Sequence, residues 1–326
     1  MSTMLKAPER LDLVDEALLG TMLGAYAGTV RQDTAKVLGG VHDGAHGSVT
    51  RRYWLTDGGT VVFKRSHACR SGDGAASSAD EAAVLAAIGS TDLPAARVLA
   101  AARVGGWAGM LLHDLGPADA VRPVTVDDTA TLAAWVHQTE VQVPPSDLPV
   151  IDSTSLADLV TRQIPELLAR HAAMAGVAAE VIRDVLPAVR RVAEVRCGSA
   201  DRQPRGLCHG QLHPARVHRT AAGRAVLGWS RAYHGPVLLD LAALHHASPA
   251  SGDWATVLHD YVRSGGSDAV YDNCDGLDSG RWASGWHHLR RAAVTLTDLD
   301  TVGEPLSPAV AVQLLSRLRQ AQRCLT

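Results

Sequence analysis

The sequence predicts an α+β protein in which a small β-rich part is followed by a large helical one. Two β-rich runs, residues 49–55 and 60–64, flank the pair Gly58-Gly59 and read as a hairpin. Long stretches of helical apolar spacing fill residues 126–140 and 155–196, and the chain keeps that habit from Trp254 onward. Hydrophobic residues make up 46% and charged residues 20% of the 326 positions. Those proportions suit a globular chain long enough to bury a core in each of two lobes.

The charge balance narrows the partners. A formal net charge of -3 gives no nucleic-acid footprint and no polybasic membrane patch. Five dispersed cysteines (Cys69, Cys197, Cys208, Cys274 and Cys324) form no C-x-x-C pair, so reduced thiols in a cytoplasm are expected. The first residues are charged throughout, without the apolar core of a secretory signal. No run approaches the roughly 18 apolar residues of a membrane span. The vocabulary, rich in Ala, Val, Arg and Leu, is that of a high-GC bacterial coding bias.

Taken in order, residues 9–28 carry Leu11, Val14, Leu18, Leu19 and Leu23 at helical spacing, an amphipathic opening helix. Val37 leads through Gly39-Gly40 and a glycine-containing turn into the predicted hairpin, which ends near Lys64. A loose Gly/Ser/Ala segment, residues 71–79, precedes a short helix from Asp80 to Ile88 with Glu81 at its start. Strand-like residues follow at 98–100 and 107–112, separated by Gly105-Gly106. Leu132 and Val136, then Leu156, Leu159, Val160 and Ile164, then Val181, Val185, Val189 and Val192 mark the helices. Pro144, Pro145 and Pro149 form the loop between them. Trp282 and Trp286, one helical turn apart, read as core or as a wall.

The stretch from Cys208 to Leu241 organises the rest. A loop holds His209 and His213 around Gly210 and Pro214. A hairpin is expected from residues 216–218 and 225–227, joined through residues 221–223. A second loop follows at Gly228-Trp229-Ser230, then an apolar run, Val237-Leu238-Leu239, ending in Asp240. The two histidines have metal-ligand spacing only if helical; in this Gly/Pro loop they read as structural, and Cys208 reads as a buried thiol. The doublets His245-His246 and His287-His288 read as packing or surface residues.

This spacing resembles the aminoglycoside phosphotransferase/choline kinase-like family, whose pattern is H-G-D-x-H-x-x-N, a short hairpin, I-D-W, then G-D-P-x-x-D-L-A. His209, Gly210, His213, Trp229, Gly235, Asp240, Leu241 and Ala242 fall in that frame. The resemblance implies a two-lobed protein-kinase-like fold, with a small β-rich lobe over residues 1–112 and a helical lobe over 113–326. It also implies that Lys64 is the phosphate-binding lysine, Glu81 its helix partner, and residues 110–116, with His113 and Leu115, the hinge that meets the adenine. Three positions depart from the pattern. Gln211 stands where the family has its catalytic aspartate, Arg216 where it has a metal-binding asparagine, and Gly228 where it has a second metal-binding aspartate.

Those departures carry the functional expectation. Phosphoryl transfer asks a protein for positioning and for hard oxygen ligands to Mg²⁺. Gln211 cannot accept a proton, Gly228 offers no ligand, and the Arg216 guanidinium repels a cation. Losing one charged catalytic group costs about 10³ in rate. The expectation is therefore a pseudokinase without a metal, in which a small molecule, a peptide or a partner enzyme occupies the interlobe cleft within a bacterial biosynthetic pathway. Arg216, with Lys64, would hold ATP or another anionic ligand without Mg²⁺, and His213 and Gln211 would be polar anchors. The alternative is an atypical active phosphotransferase, or a non-kinase enzyme using the same residues. Asp240 is implied to be structural.

Overall fold

A computed structural model describes residues 13–26, 36–37, 49–67, 80–116, 124–144, 147–220, 223–247 and 253–326. The glycine-containing turn after Val37, the loose segment 71–79 and Cys69 lie outside the described residues. The chain divides into two compact units, residues 1–69 with 96–117, and residues 70–95 with 118–326.

The first unit is a helix on an antiparallel sheet. Helix α1 (Leu13–Tyr26) is followed by β1 (Lys36–Val37), β2 (Val49–Trp54), β3 (Thr60–His67), β4 (Val98–Val104) and β5 (Trp107–His113). The strands lie in the order β1-β2-β3-β5-β4. The predicted hairpin is β2–β3, closed by the Leu55 amide donating to the Gly59 carbonyl at 2.8 Å. Alternation along β3 turns Val61, Phe63 and Arg65 inward and leaves Val62, Lys64 and Ser66 on the other face. Leu18, Leu19 and Met22 of α1 complete a core with Tyr53, Phe63 and Leu111. Each such side chain contributes about 1.5–3 kcal/mol by leaving water. Inside this core Asp15 is fully buried, ion-paired to Arg51 at 3.0 Å and Arg65 at 2.8 Å. Arg65 also lies over the Trp107 ring, 4.5 Å from its centroid.

The second unit is mostly helical: α2 (Glu81–Ile88), α3 (Val126–Gln138), α4 (Ser153–Asp158), α5 (Ile164–Glu194), α6 (Leu238–Ala247), α7 (Trp254–Arg263), α8 (Ser279–Val302) and α9 (Pro308–Leu325). Two small antiparallel ladders sit among them. One pairs β6 (Arg205–Cys208) with β9 (Tyr233–Pro236), and the other pairs β7 (Val217–Thr220) with β8 (Gly223–Val226). Trp229, Trp282, Trp286, Tyr233 and Tyr261 are buried to within 2% exposure. Trp282 and Trp286 are thus core, and the Trp282 indole donates to the Arg196 carbonyl at 2.7 Å.

Residues 80–95 join this unit because their backbone is used there. The Val226 amide donates to Pro94 at 2.9 Å, and the Asp80 amide donates to Asp147 at 2.8 Å. The boundary expected between residues 112 and 113 falls one residue before the end of β5, and α2 groups with the later chain. Helix α3 opens with a capping box, Thr125 and Asp128 each accepting the other's amide at 3.1 Å. Asp128 then pairs at 2.6 Å with both Arg219 and Arg224, tying the β7–β8 hairpin to α3. No described helix is long and apolar enough to cross a membrane.

Candidate functional site

The β6–β9 ladder delivers the chain to a loop at Cys208, and a 3₁₀ turn, Pro214–Arg216, carries it into β7. What fixes the loop is Asp240, in the first turn of α6. Its Oδ2 accepts the His209 amide at 2.8 Å and its Oδ1 accepts the Gly210 amide at 2.9 Å, while His137 Nε2 of α3 lies 3.3 Å from Oδ2. His137 Nδ1 is 3.2 Å from the Tyr261 hydroxyl of α7. Burial by itself would raise the Asp240 carboxyl. The His137 hydrogen bond, the nearby imidazoles of His137 and His209 and the His209 amide outweigh it and hold the group below the usual carboxylate range.

His209 is the second anchor. Its Nδ1 accepts the Gln211 amide at 3.2 Å, which leaves Nε2–H to donate to the Leu227 carbonyl at 3.0 Å. One ring thereby links the two loops, and it packs edge-on to Trp229 with centroids 4.9 Å apart. Burial pushes His209 down to about 4, so the imidazole is neutral at pH 7. Gly210 has φ +81, and a Cβ there would stand 2.0 Å from the Arg231 carbonyl oxygen, so only glycine fits.

Gln211, Arg216 and Gly228 meet one another. Arg216 donates from its guanidinium to Gln211 Oε1 at 3.2 Å. Gly228, at φ +83, presents a bare Cα, and a Cβ there would lie 3.2 Å from an Arg216 terminal nitrogen. Gln211 and Arg216 are half-buried. His213 is also half-buried, and its carbonyl accepts the Arg216 amide at 2.8 Å. The Leu227 amide returns to the Arg216 carbonyl at 2.8 Å, holding the two segments in register.

The expected nucleotide-binding residues are distributed between the units. Glu81 is buried at the start of α2, and its Oε1 accepts the Trp229 amide at 3.1 Å, so it braces the residue after Gly228. Lys64 belongs to the first unit, on β3 opposite Met110. His113 is exposed at the end of β5, its amide already donated to Arg97 at 2.9 Å. Leu115 follows in a half-buried segment that Asp114 shapes by pairing with Arg52 at 2.6 Å and accepting the Gly116 amide at 2.9 Å.

Among the described residues, His137, Cys208 and Asp240 bring ligand atoms within 4.8 Å of one another. That cluster serves as an internal brace. Asp240 already accepts two amides, and burial pushes the Cys208 thiol well up, so Cys208 is a buried thiol facing the Gly206, Gly235 and Pro236 carbonyls. The sequence reading missed His137 and Tyr261. Nothing in the α3 sequence distinguishes His137 from any other residue of a buried face.

Comparison with curated protein sequences returned no match. Among solved structures, the chain is similar to the amicoumacin kinase hAmiN in complex with AMP-PNP, Ca²⁺ and Ami, at 10% identity and TM-score 0.54, over 90% of each chain. It is similar to a choline/ethanolamine kinase family protein from Mesorhizobium loti, at 13% identity and TM-score 0.54, over 90% of this chain and 92% of that one. An aminoglycoside-3'-phosphotransferase of type VIII matches at 18% identity and TM-score 0.51, over 85% of this chain and 97% of that one. These likenesses show the α+β, protein-kinase-like fold. The model of the phosphotransferase enzyme family matches residues 43–277, more than two thirds of the chain, and the chain therefore belongs to that family.

Proposed function

We propose that this chain is a phosphotransferase-family protein that binds an anionic ligand at the Gln211–Arg216–Gly228 face and does not carry out magnesium-dependent phosphoryl transfer. One observation carries the reading: the Arg216 guanidinium lies against the bare Cα of Gly228 while donating to Gln211 Oε1. A divalent ion does not fit this donor set. Its one side-chain oxygen is a neutral amide already engaged by a guanidinium, and that fixed positive charge would stand beside the ion. The same charge suits a phosphate or carboxylate, which a guanidinium grips through paired N–H groups. Asp240 does not replace the missing carboxylates, because both its oxygens hold loop amides. In this reading His209, Asp240 and Glu81 keep the loops in shape, and Arg216 supplies the charge. The reading extends to a role beside a partner enzyme in a bacterial biosynthetic pathway, for which co-purification is the test.

A relative that holds AMP-PNP makes ATP the first probe. Calorimetry with ATP, with and without EDTA, is expected to show binding that does not depend on metal and is lost in Arg216→Ala. Turnover of ATP with Mg²⁺ and hydroxyl acceptors is expected to be at background. The variant carrying Gln211→Asp, Arg216→Asn and Gly228→Asp is expected to gain metal dependence. Label transferred to an acceptor by the native protein with Mg²⁺, or ATP binding abolished by EDTA, would overturn the proposal.

A further inference from the structure

Away from the loops just described, α6, α8 and α9 bring a set of basic groups together. His246 of α6 stacks on His287 of α8 with centroids 5.2 Å apart and lies 4.7 Å from His288. Arg291, one turn further along α8, and Arg317 of α9 complete the set. Burial holds Arg291 below its usual range, and the charge of Arg317 pushes it the same way. Burial does the same to Arg317, and its charge reaches His246 and His288.

Acids do not balance these groups. Among the described residues neither Arg291 nor Arg317 forms an ion pair, and Asp298, whose charge reaches Arg291, is paired with Arg231. Arg290 is turned onto the Tyr233 ring, 4.1 Å from its centroid. Helix α9 carries Arg317, Arg319 and Arg323 and no acid, within a chain whose net charge is -3. Two buried nitrogens, Arg317 Nε and His288 Nδ1, have no hydrogen-bond partner, and His288 is only 8% exposed. The cluster reaches water, for His246 is exposed and Arg291, Arg317 and His287 are half-buried.

Half-buried cations without counter-ions cost desolvation energy that a bound anion offsets. Two guanidiniums and the imidazoles of His287 and His288, beside His246 whose Nε2 lies 2.9 Å from the Ser284 hydroxyl, offer more donors than a carboxylate can use. A phosphate group brings three acceptor oxygens and a charge of about -1.5 to -2 at pH 7, which matches two arginines. We propose that Arg291 and Arg317, with His246, His287 and His288, form a binding site for a phosphate-bearing small molecule, distinct from the Gln211–Arg216 face.

Calorimetry of the full chain with inorganic phosphate and pyrophosphate tests this, in the Arg216→Asn background so that the other face is silent, with NaCl matching the ionic strength. Saturable one-to-one binding is expected. Arg291→Met and Arg317→Met are each expected to weaken it by about tenfold or more and to raise the melting temperature of the ligand-free protein, because they remove unbalanced charge. Arg319→Met, on the exposed face of α9, should change neither. In the same Arg216→Asn protein, phosphate should protect Arg291 and Arg317 from phenylglyoxal, read by peptide mass spectrometry, which covers the case in which the methionine variants do not fold. No saturable binding, equal losses in Arg317→Met and Arg319→Met, or modification that phosphate does not slow would overturn the proposal.

Discussion

Replacing Asp240 by alanine removes one carboxylate that accepts two backbone amides, at 2.8 Å from His209 and 2.9 Å from Gly210, and faces His137 at 3.3 Å. Asp240 and His209 are at or below 1% exposure, so water does not replace the lost acceptor. A buried donor left unsatisfied costs about 1–3 kcal/mol, so the two amides together predict a loss of about 2–6 kcal/mol. That is a large part of the 5–15 kcal/mol typical of a folded protein. Asp240→Asn keeps one acceptor oxygen but turns an amide NH₂ toward a backbone N–H, so its loss should be nearly as great. Urea unfolding followed by tryptophan fluorescence measures it well, because five of the seven tryptophans lie in the second unit. A loss below about 1 kcal/mol in Asp240→Ala would refute the view that this carboxylate holds the loop. The depressed carboxyl adds a pH signature. Its contribution is complete above the unfolded value near 4 and lost as pH falls through the lower folded value.

Asp15→Ala should cost about 3–5 kcal/mol in unfolding experiments, since it strands Arg51 and Arg65 in the core of the first unit. Gly210→Ala should lose more than about 2 kcal/mol, and a melting temperature within a degree of the native one would contradict the 2.0 Å approach to Arg231. Glu81→Ala should cost about 1–3 kcal/mol by leaving the Trp229 amide unpaired, with a shift in Trp229 fluorescence as a local readout. His209 and His288 are each held at about 4 by burial, against an unfolded value of 6.5. The unfolded chain therefore binds more protons between these values, and stability should fall as pH drops from about 6.5 to 4. The slope is up to about 1.4 kcal/mol per pH unit for each ring. Urea midpoints across that range check it, and because burial lowers His246 and His287 in the same way, His288→Leu should remove about a quarter of the slope or less.

Local signals carried the elements well. Gly58-Gly59 between β-branched runs specified the β2–β3 hairpin, and Asp80 ahead of Glu81 marked α2, where its side chain accepts the Ala82 and Ala83 amides at 3.0 and 3.2 Å. The apolar run at residues 237–239 was harder to place, and it forms the entry to α6 rather than an extension of β9. Gln211, Arg216 and Gly228 were legible because the segment from Cys208 to Leu241 keeps its spacing around them. Their mutual contact was not legible, since it depends on how the 3₁₀ turn at Pro214 aims one arginine. The histidine doublets, assigned to packing or surface, gave no hint of Arg317, which comes from a helix 29 residues beyond His288.

By itself the sequence determined the α+β class, the order of strands and helices, and the chemical identity of the residues in the two loops. Those properties follow from periodicity, turn residues and local spacing, which need no distant partner. The tertiary structure alone decided that Asp240 meets His137 across 103 positions, that Asp15 is neutralised by two strands, and that Arg291 and Arg317 face imidazoles and no acid. Burial and Coulomb energy depend on which groups are brought within a few ångströms, and proximity in space is a property that linear order does not carry.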